Sequence, residues 1–127
     1  MTLAKGTFAV KLTPQASDQA VAVGRYSIDK QFTGDLEGTS KGEMLAVSGA
    51  VHGSAGYVAM ELISGTLQGR SGTFALQHNG IMNRGQGDLS VTVVPDSGTD
   101  QLTGLSGKMK IVIADGQHSY EFEYSFQ

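Results

Sequence analysis

Glu61 and His78 are the residues whose types and spacing could do chemistry together. They stand on two extended runs, Gly56 to Leu67 and Arg70 to Met82, joined at Gln68-Gly69, a two-residue hairpin signal. Pairing the runs around that turn sets Ile63 opposite Phe74, Glu61 opposite Leu76, Ala59 opposite His78 and Tyr57 opposite Gly80. Glu61 and His78 then lie diagonally on one face, roughly 7–8 Å apart at the backbone, within reach of long side chains. A carboxylate beside an imidazole in a dry cavity can act as an acid/base pair, because burial and mutual charge change the proton affinity of both. The same pairing logic turns Lys30 inward, where it would neutralise Glu61 or hold an anionic ligand. Tyr26, Tyr57, His118 and Tyr120 join it as candidate ligand contacts, with Tyr124 on the same face. The competing reading is structural: Lys30 and Glu61 form an ion pair because a lone buried charge is too costly, and the histidines satisfy backbone groups.

Other motifs carry less. Asp96-Ser97-Gly98-Thr99 after Val93-Val94 has the residue types of an aspartic-protease motif, but Pro95 makes it an ordinary turn. Gly85-Gln86-Gly87 is followed by no helix that could donate amides to a phosphate. Asn79-Gly80 resembles a hairpin turn, yet only Ile81 and Met82 follow before Asn83-Arg84-Gly85, too few for a return strand. The three histidines lack the close spacing of a zinc site, and there is no cysteine for disulfide or thiolate chemistry. No metal and no cofactor is expected.

Something must hold these residues in place, and the pattern is strand throughout. The 127 residues suit one domain, 1–127, with no linker. The 18 glycines beside many Val, Ile, Thr, Tyr and Phe suit tight hairpins and curved strands. Period-two alternation predicts strands near Lys5 to Leu12, Val21 to Phe32, Leu36 to Val47, Gly56 to Leu67, Arg70 to Met82, Asp88 to Val94, Lys108 to Ala114 and Gln117 to Phe126. Thr99 to Gly107 reads as a loop with one helical turn. Asp115-Gly116 pairs Ile113 with His118, Ile111 with Tyr120 and Met109 with Phe122, while Lys110 meets Glu121 and Lys108 meets Glu123 outside. A three-residue turn at Thr33-Gly34-Asp35 would pair Phe32 with Leu36, Lys30 with Gly38, Ile28 with Ser40 and Tyr26 with Gly42. Successive hairpins of this kind make an antiparallel meander, and about eight strands close into a barrel whose lumen is filled by side chains or holds one small ligand.

Charge excludes some partners. A net charge of -3 offers no basic stripe for nucleic acid or for an anionic membrane. No apolar run approaches the roughly 20 residues that span a bilayer. The first residues carry no leader pattern, and with the absence of cysteine the expected location is cytoplasmic. Val58, Met60 and Leu62 point away from the lumen, near Ala75, and such a patch would serve contact between copies of the chain.

Several long stretches also resemble a known group. Ser27 to Phe32 running into Gly34 to Met44, then Gly53 to Tyr57, Gly69 to Gly72, Leu76 to His78, Val93 to Thr99, Leu105 to Gly107 and Tyr120 to Tyr124, are similar to a small bacterial domain-of-unknown-function family numbered three-two-two-four. The resemblance covers nearly the whole chain. It implies an eight-stranded antiparallel barrel classed by fold with the allene oxide cyclase-like barrels. It implies no activity, and no cyclase motif carries over onto these positions.

The expected protein is therefore an all-β, single-domain barrel that binds a small, partly apolar or anionic molecule in its lumen and self-associates. The alternatives are an isomerase- or cyclase-like enzyme using Glu61 and His78, with Lys30 orienting substrate, and a structural or interaction protein with a filled lumen.

Overall fold

Alternation and turn chemistry place the strands, and long-range pairing sets their lengths. The structure, a computed structural model, describes residues 1–16 and 22–127. Chain order is β1 (Thr2–Pro14), β2 (Gly24–Gly34), β3 (Leu36–Ser48), β4 (Ala55–Leu67), β5 (Arg70–Asn83), β6 (Gln86–Val93), a short 3-10 turn (Asp100–Leu102), β7 (Leu105–Ala114) and β8 (Gln117–Phe126). Each strand pairs antiparallel with its neighbours in sequence, and β1 pairs with β8 to close the barrel. The expected start of the second strand at Val21 lies outside the described residues. The first strand is longer than alternation indicates, because Thr2 to Ala4 pair with Tyr124 to Phe122 across the closure. The seventh likewise begins at Leu105, paired with Phe126, and not at Lys108.

The hairpins at Gln68-Gly69 and Asp115-Gly116 have the expected registers, Ile63 with Phe74 and Ile113 with His118 among them. Both turn residues in each have positive φ, the geometry that matches strand twist. The β2–β3 register differs from expectation by two residues: Phe32 faces Gly38, Lys30 faces Ser40, Ile28 faces Gly42 and Tyr26 faces Met44. The connection is held by distant segments: Asp35 exchanges bonds with Lys5 and accepts from Gln68 N–H, and the Tyr120 hydroxyl fills the turn. That hydroxyl accepts from the Leu36 N–H at 2.8 Å and donates toward the carbonyls of Thr33 and Leu36, each at 3.1 Å. The turn opens around it. A slip of two leaves every side chain on its expected face.

One end of the barrel is packed solid. Phe32, Leu36, Ile63, Leu67, Phe74, Leu105, Tyr120, Phe122 and Tyr124 fill it. Leu102, on the 3-10 turn, seals this end. The segment around Pro95 to Thr99 is the expected turn, and it stitches the part of β5 that β6 leaves unpaired. Val94 N–H bonds Ala75 O, Ser97 Oγ accepts from Ala75 N–H, and Thr99 Oγ1 accepts from Thr73 N–H. The outer face carries Val58, Met60 and Leu62, which are 52%, 48% and 57% exposed.

Candidate functional site

The polar residues of the interior meet at mid-barrel, where the packed end stops. Lys30 on β2 lies beside Ser40 on β3, Gly42 on β3 faces Glu61 on β4, and Ala59 on β4 faces His78 on β5. The side chains thus form a diagonal band across four adjacent strands. Gly42 lets β3 lie close against Glu61, since a Cβ there would stand 2.7 Å from the Glu61 Cα. The Lys30 ammonium is 3.2 Å from Glu61 Oε1 and 3.2 Å from Oε2. Ser40 Oγ donates to Oε2 at 2.9 Å, and His78 Nε2 donates to Oε1 at 3.0 Å. The ammonium also stands 4.8 Å from the centroid of the Phe8 ring, an added cation–π contact.

This arrangement settles the charge of the carboxylate. Glu61 is 2% exposed and His78 3%. Burial on its own would raise the Glu61 carboxyl. The His78 hydrogen bond, the Lys30 charge and the Ser40 hydroxyl together outweigh it and hold the group below its ordinary value. With Nε2 bonded to the carboxylate, the Nδ1 atom of a neutral His78 ring accepts, and the Tyr57 hydroxyl lies 3.4 Å from it. Burial, then the Glu61 charge, push the Tyr57 hydroxyl up, so it keeps its proton and donates. Gly80 makes this contact possible: a Cβ there would sit 2.2 Å from Tyr57 Cε1, so only glycine lets the ring lie down on β5.

Above this band the lumen is a cup of about 520 Å³, within the range of small-molecule sites. Phe8, Val10, Ile28, Met44, Ile111 and Ile113 stand in its wall, with Lys30, His78 and Tyr57 toward the floor. The cup ends among the mouth-side termini of the strands, at Leu12, Ala55, Met82, Leu89 and His118.

The expected site residues divide accordingly. Lys30, Tyr57, His78 and His118 line the cup, and His118 packs on Phe8 with ring centroids 5.2 Å apart. Glu61 lies beneath it, fully bonded, and reaches the cup only through His78 and Lys30. Tyr26 does not line it: its ring turns back toward Gly24, whose added Cβ would lie 3.1 Å from it. Tyr120 does not line it either, because its hydroxyl is engaged at the packed end. Sequence reasoning missed Ser40, which the two-residue register difference brings beside Lys30. It also missed the apolar wall, although Val10, Ile28 and Ile111 alternate inward. Among the described residues no cluster of His, Asp or Glu is arranged to hold a metal ion. Among the described residues no helix is long and apolar enough to cross a membrane.

A family model described as a protein of unknown function, DUF3224, matches residues 4–124. A crystal structure of a protein with unknown function from that family, from Shewanella oneidensis MR-1, is 51% identical to the chain. It superposes with a TM-score of 0.97, covering 100% of this chain and 98% of that one. No curated protein matches.

Proposed function

The chain belongs to the DUF3224 family, and from that premise we propose that it is a binding protein for a small, mainly apolar molecule with one hydrogen-bonding or anionic head group. The body would lie against Val10, Ile28, Met44 and Ile111, and the head against Lys30, His78 and Tyr57. One observation carries this reading. The barrel fills its lumen completely at one end, yet at the other it leaves large inward apolar side chains in contact with water: Ile113 is 66% exposed, Leu12 45%, Met82 45% and Leu89 41%. Apolar surface of this kind, gathered around a concavity with a few convergent polar groups, is the usual form of a ligand site.

The test is titration with anilinonaphthalene sulfonate, followed by competition with n-alkanoates and n-alkanols. One saturable dye site per chain, emptied by the competitors, is expected. Dye binding that never saturates, or that no competitor reverses, rejects the reading.

A second reading is favoured by the Tyr57–His78–Glu61 chain. Here Glu61 would fix the imidazole and His78 would exchange the proton with a bound substrate, in the manner of a base oriented by a carboxylate. It predicts that His78→Gln lowers kcat for a turned-over substrate far beyond any change in its affinity.

A further inference from the structure

The barrel is closed, but among the described residues its ladder is thinnest between β6 and β7. Among the described residues these strands share a single register pair, Thr92 with Lys108, near the packed end. Every other adjacent pair is laddered over several residues; β5 and β6, for example, pair from Leu76–Val93 to Asn83–Gln86. At the mouth, hairpins tie β5 to β6 at Arg84-Gly85 and β7 to β8 at Asp115-Gly116, while β6 and β7 are joined through the segment carrying the 3-10 turn at the far end. β4 and β5 are also joined only at that far end, yet they ladder to Ala55–Met82 at the mouth, so connectivity alone does not set β6 and β7 apart. The sequence of β6 there, Gln86-Gly87-Asp88-Leu89-Ser90, is poor in strand-forming residues, and all five are exposed.

Both lips of this seam are also walls of the cup. Gly87, Asp88 and Leu89 line it from β6, and Ile111 and Ile113 from β7. The apolar surface of the cup therefore reaches both strands, ending on Leu89 and Ile113, which are exposed.

We infer that the seam is a lateral portal, and that the ligand of the cup is an elongated molecule whose apolar tail leaves between β6 and β7. This rests on the cup reading proposed above. A compact ligand would occupy the cup and leave the lips wet; a chain longer than the cup covers them. Edge strands with unpaired backbone also attract other strands, but here the lips present inward apolar side chains continuous with the cavity, which a chain of methylenes matches. Lys110 on the outer side discourages strand addition.

The absence of native cysteine allows a direct test. Ser90 and Lys110 follow Thr92 and Lys108 as the next outward-facing pair along the seam. In the double variant S90C/K110C, oxidation closes the gap if the Cα atoms come within about 4.4–6.8 Å. Dibromobimane bridges the two sulfurs if they remain farther apart. Hexanoate and hexadecanoate are titrated by calorimetry into the linked and the reduced protein, with circular dichroism confirming the barrel in both. Linking should weaken hexadecanoate by about tenfold or more and leave hexanoate unchanged, with recovery on reduction of the disulfide form. Equal hexadecanoate affinity in linked and reduced protein overturns the portal while leaving the cup intact. Failure of both forms to bind either acid overturns the cup reading and the portal with it.

Discussion

Lys30 on β2 reaches across β3 to stand 3.2 Å from each carboxylate oxygen of Glu61 on β4. The two charges are nearly removed from water, so each depends on the other. Glu61→Gln leaves the ammonium buried without its counter-charge, and it should cost about 3–5 kcal/mol of unfolding free energy at neutral pH. Replacing both, as K30M/E61Q, should recover most of that loss, since no lone charge is then buried and the new amide can still bond Ser40 and His78. Urea unfolding of the two variants measures this; a double variant no more stable than E61Q would show that the pair is not the source.

The same carboxylate makes stability depend on pH in a defined direction. The fold holds the Glu61 carboxyl below its ordinary 4.5, so the unfolded chain takes up this proton at higher pH than the folded one. Its contribution is therefore complete above the unfolded value and is lost as pH falls through the folded one. The difference in unfolding free energy between wild type and E61Q should shrink as pH falls below 4.5. Urea titrations from neutral pH down to acid pH follow it; a difference that widens in acid contradicts the assignment.

Gly80→Ala separates the head-group site from the rest of the barrel. The new methyl would lie 2.2 Å from Tyr57 Cε1 and must displace the ring from His78. A loss of about 1–3 kcal/mol is expected from the crowding, together with weaker binding of alkanoates. Tyr57→Phe keeps the ring and removes only the hydroxyl, so it should weaken alkanoates with little change in stability. Calorimetry on both variants, beside urea unfolding, distinguishes ring placement from hydrogen bonding.

Tyr120→Phe acts at the packed end. It strips the buried Leu36 N–H of its partner and should cost about 1–3 kcal/mol. Cup binding should be unaffected, because Tyr120 does not line the cup. A variant that loses ligand while remaining as stable as wild type would place Tyr120 in the site after all.

Tyr120 also shows where reading the sequence stops. At Gln68-Gly69 and Asp115-Gly116 the loop length sets the register locally, and the face of Glu61, His78, Val58 and Met60 follows from alternation alone. The β2–β3 turn has equally suggestive residues, yet a hydroxyl from the last strand, with Lys5 and Gln68, holds its geometry, and nothing near Thr33 announces that. The Lys30–Glu61–His78 cluster was legible because a slip of two preserves faces; Ser40 was not, because its neighbour depends on the register itself. That the lumen is solid at Phe74 and hollow at Ile111 goes with Leu102 closing one end and with the short β6–β7 ladder toward the other. Both are consequences of barrel closure between distant segments, invisible to a local pattern.

The cup is tested most directly by filling it. Ala46 lines the cup opposite Tyr57, and Ala46→Phe places a ring inside the mouth without touching the Lys30–Glu61 pair. Calorimetric titration of decanoate into wild type and A46F, with circular dichroism confirming the barrel in both, should give one site per chain in wild type. A fall in affinity of about tenfold or more is expected in A46F. Undiminished binding in A46F, or no saturable binding in wild type, would contradict a ligand cup in this barrel.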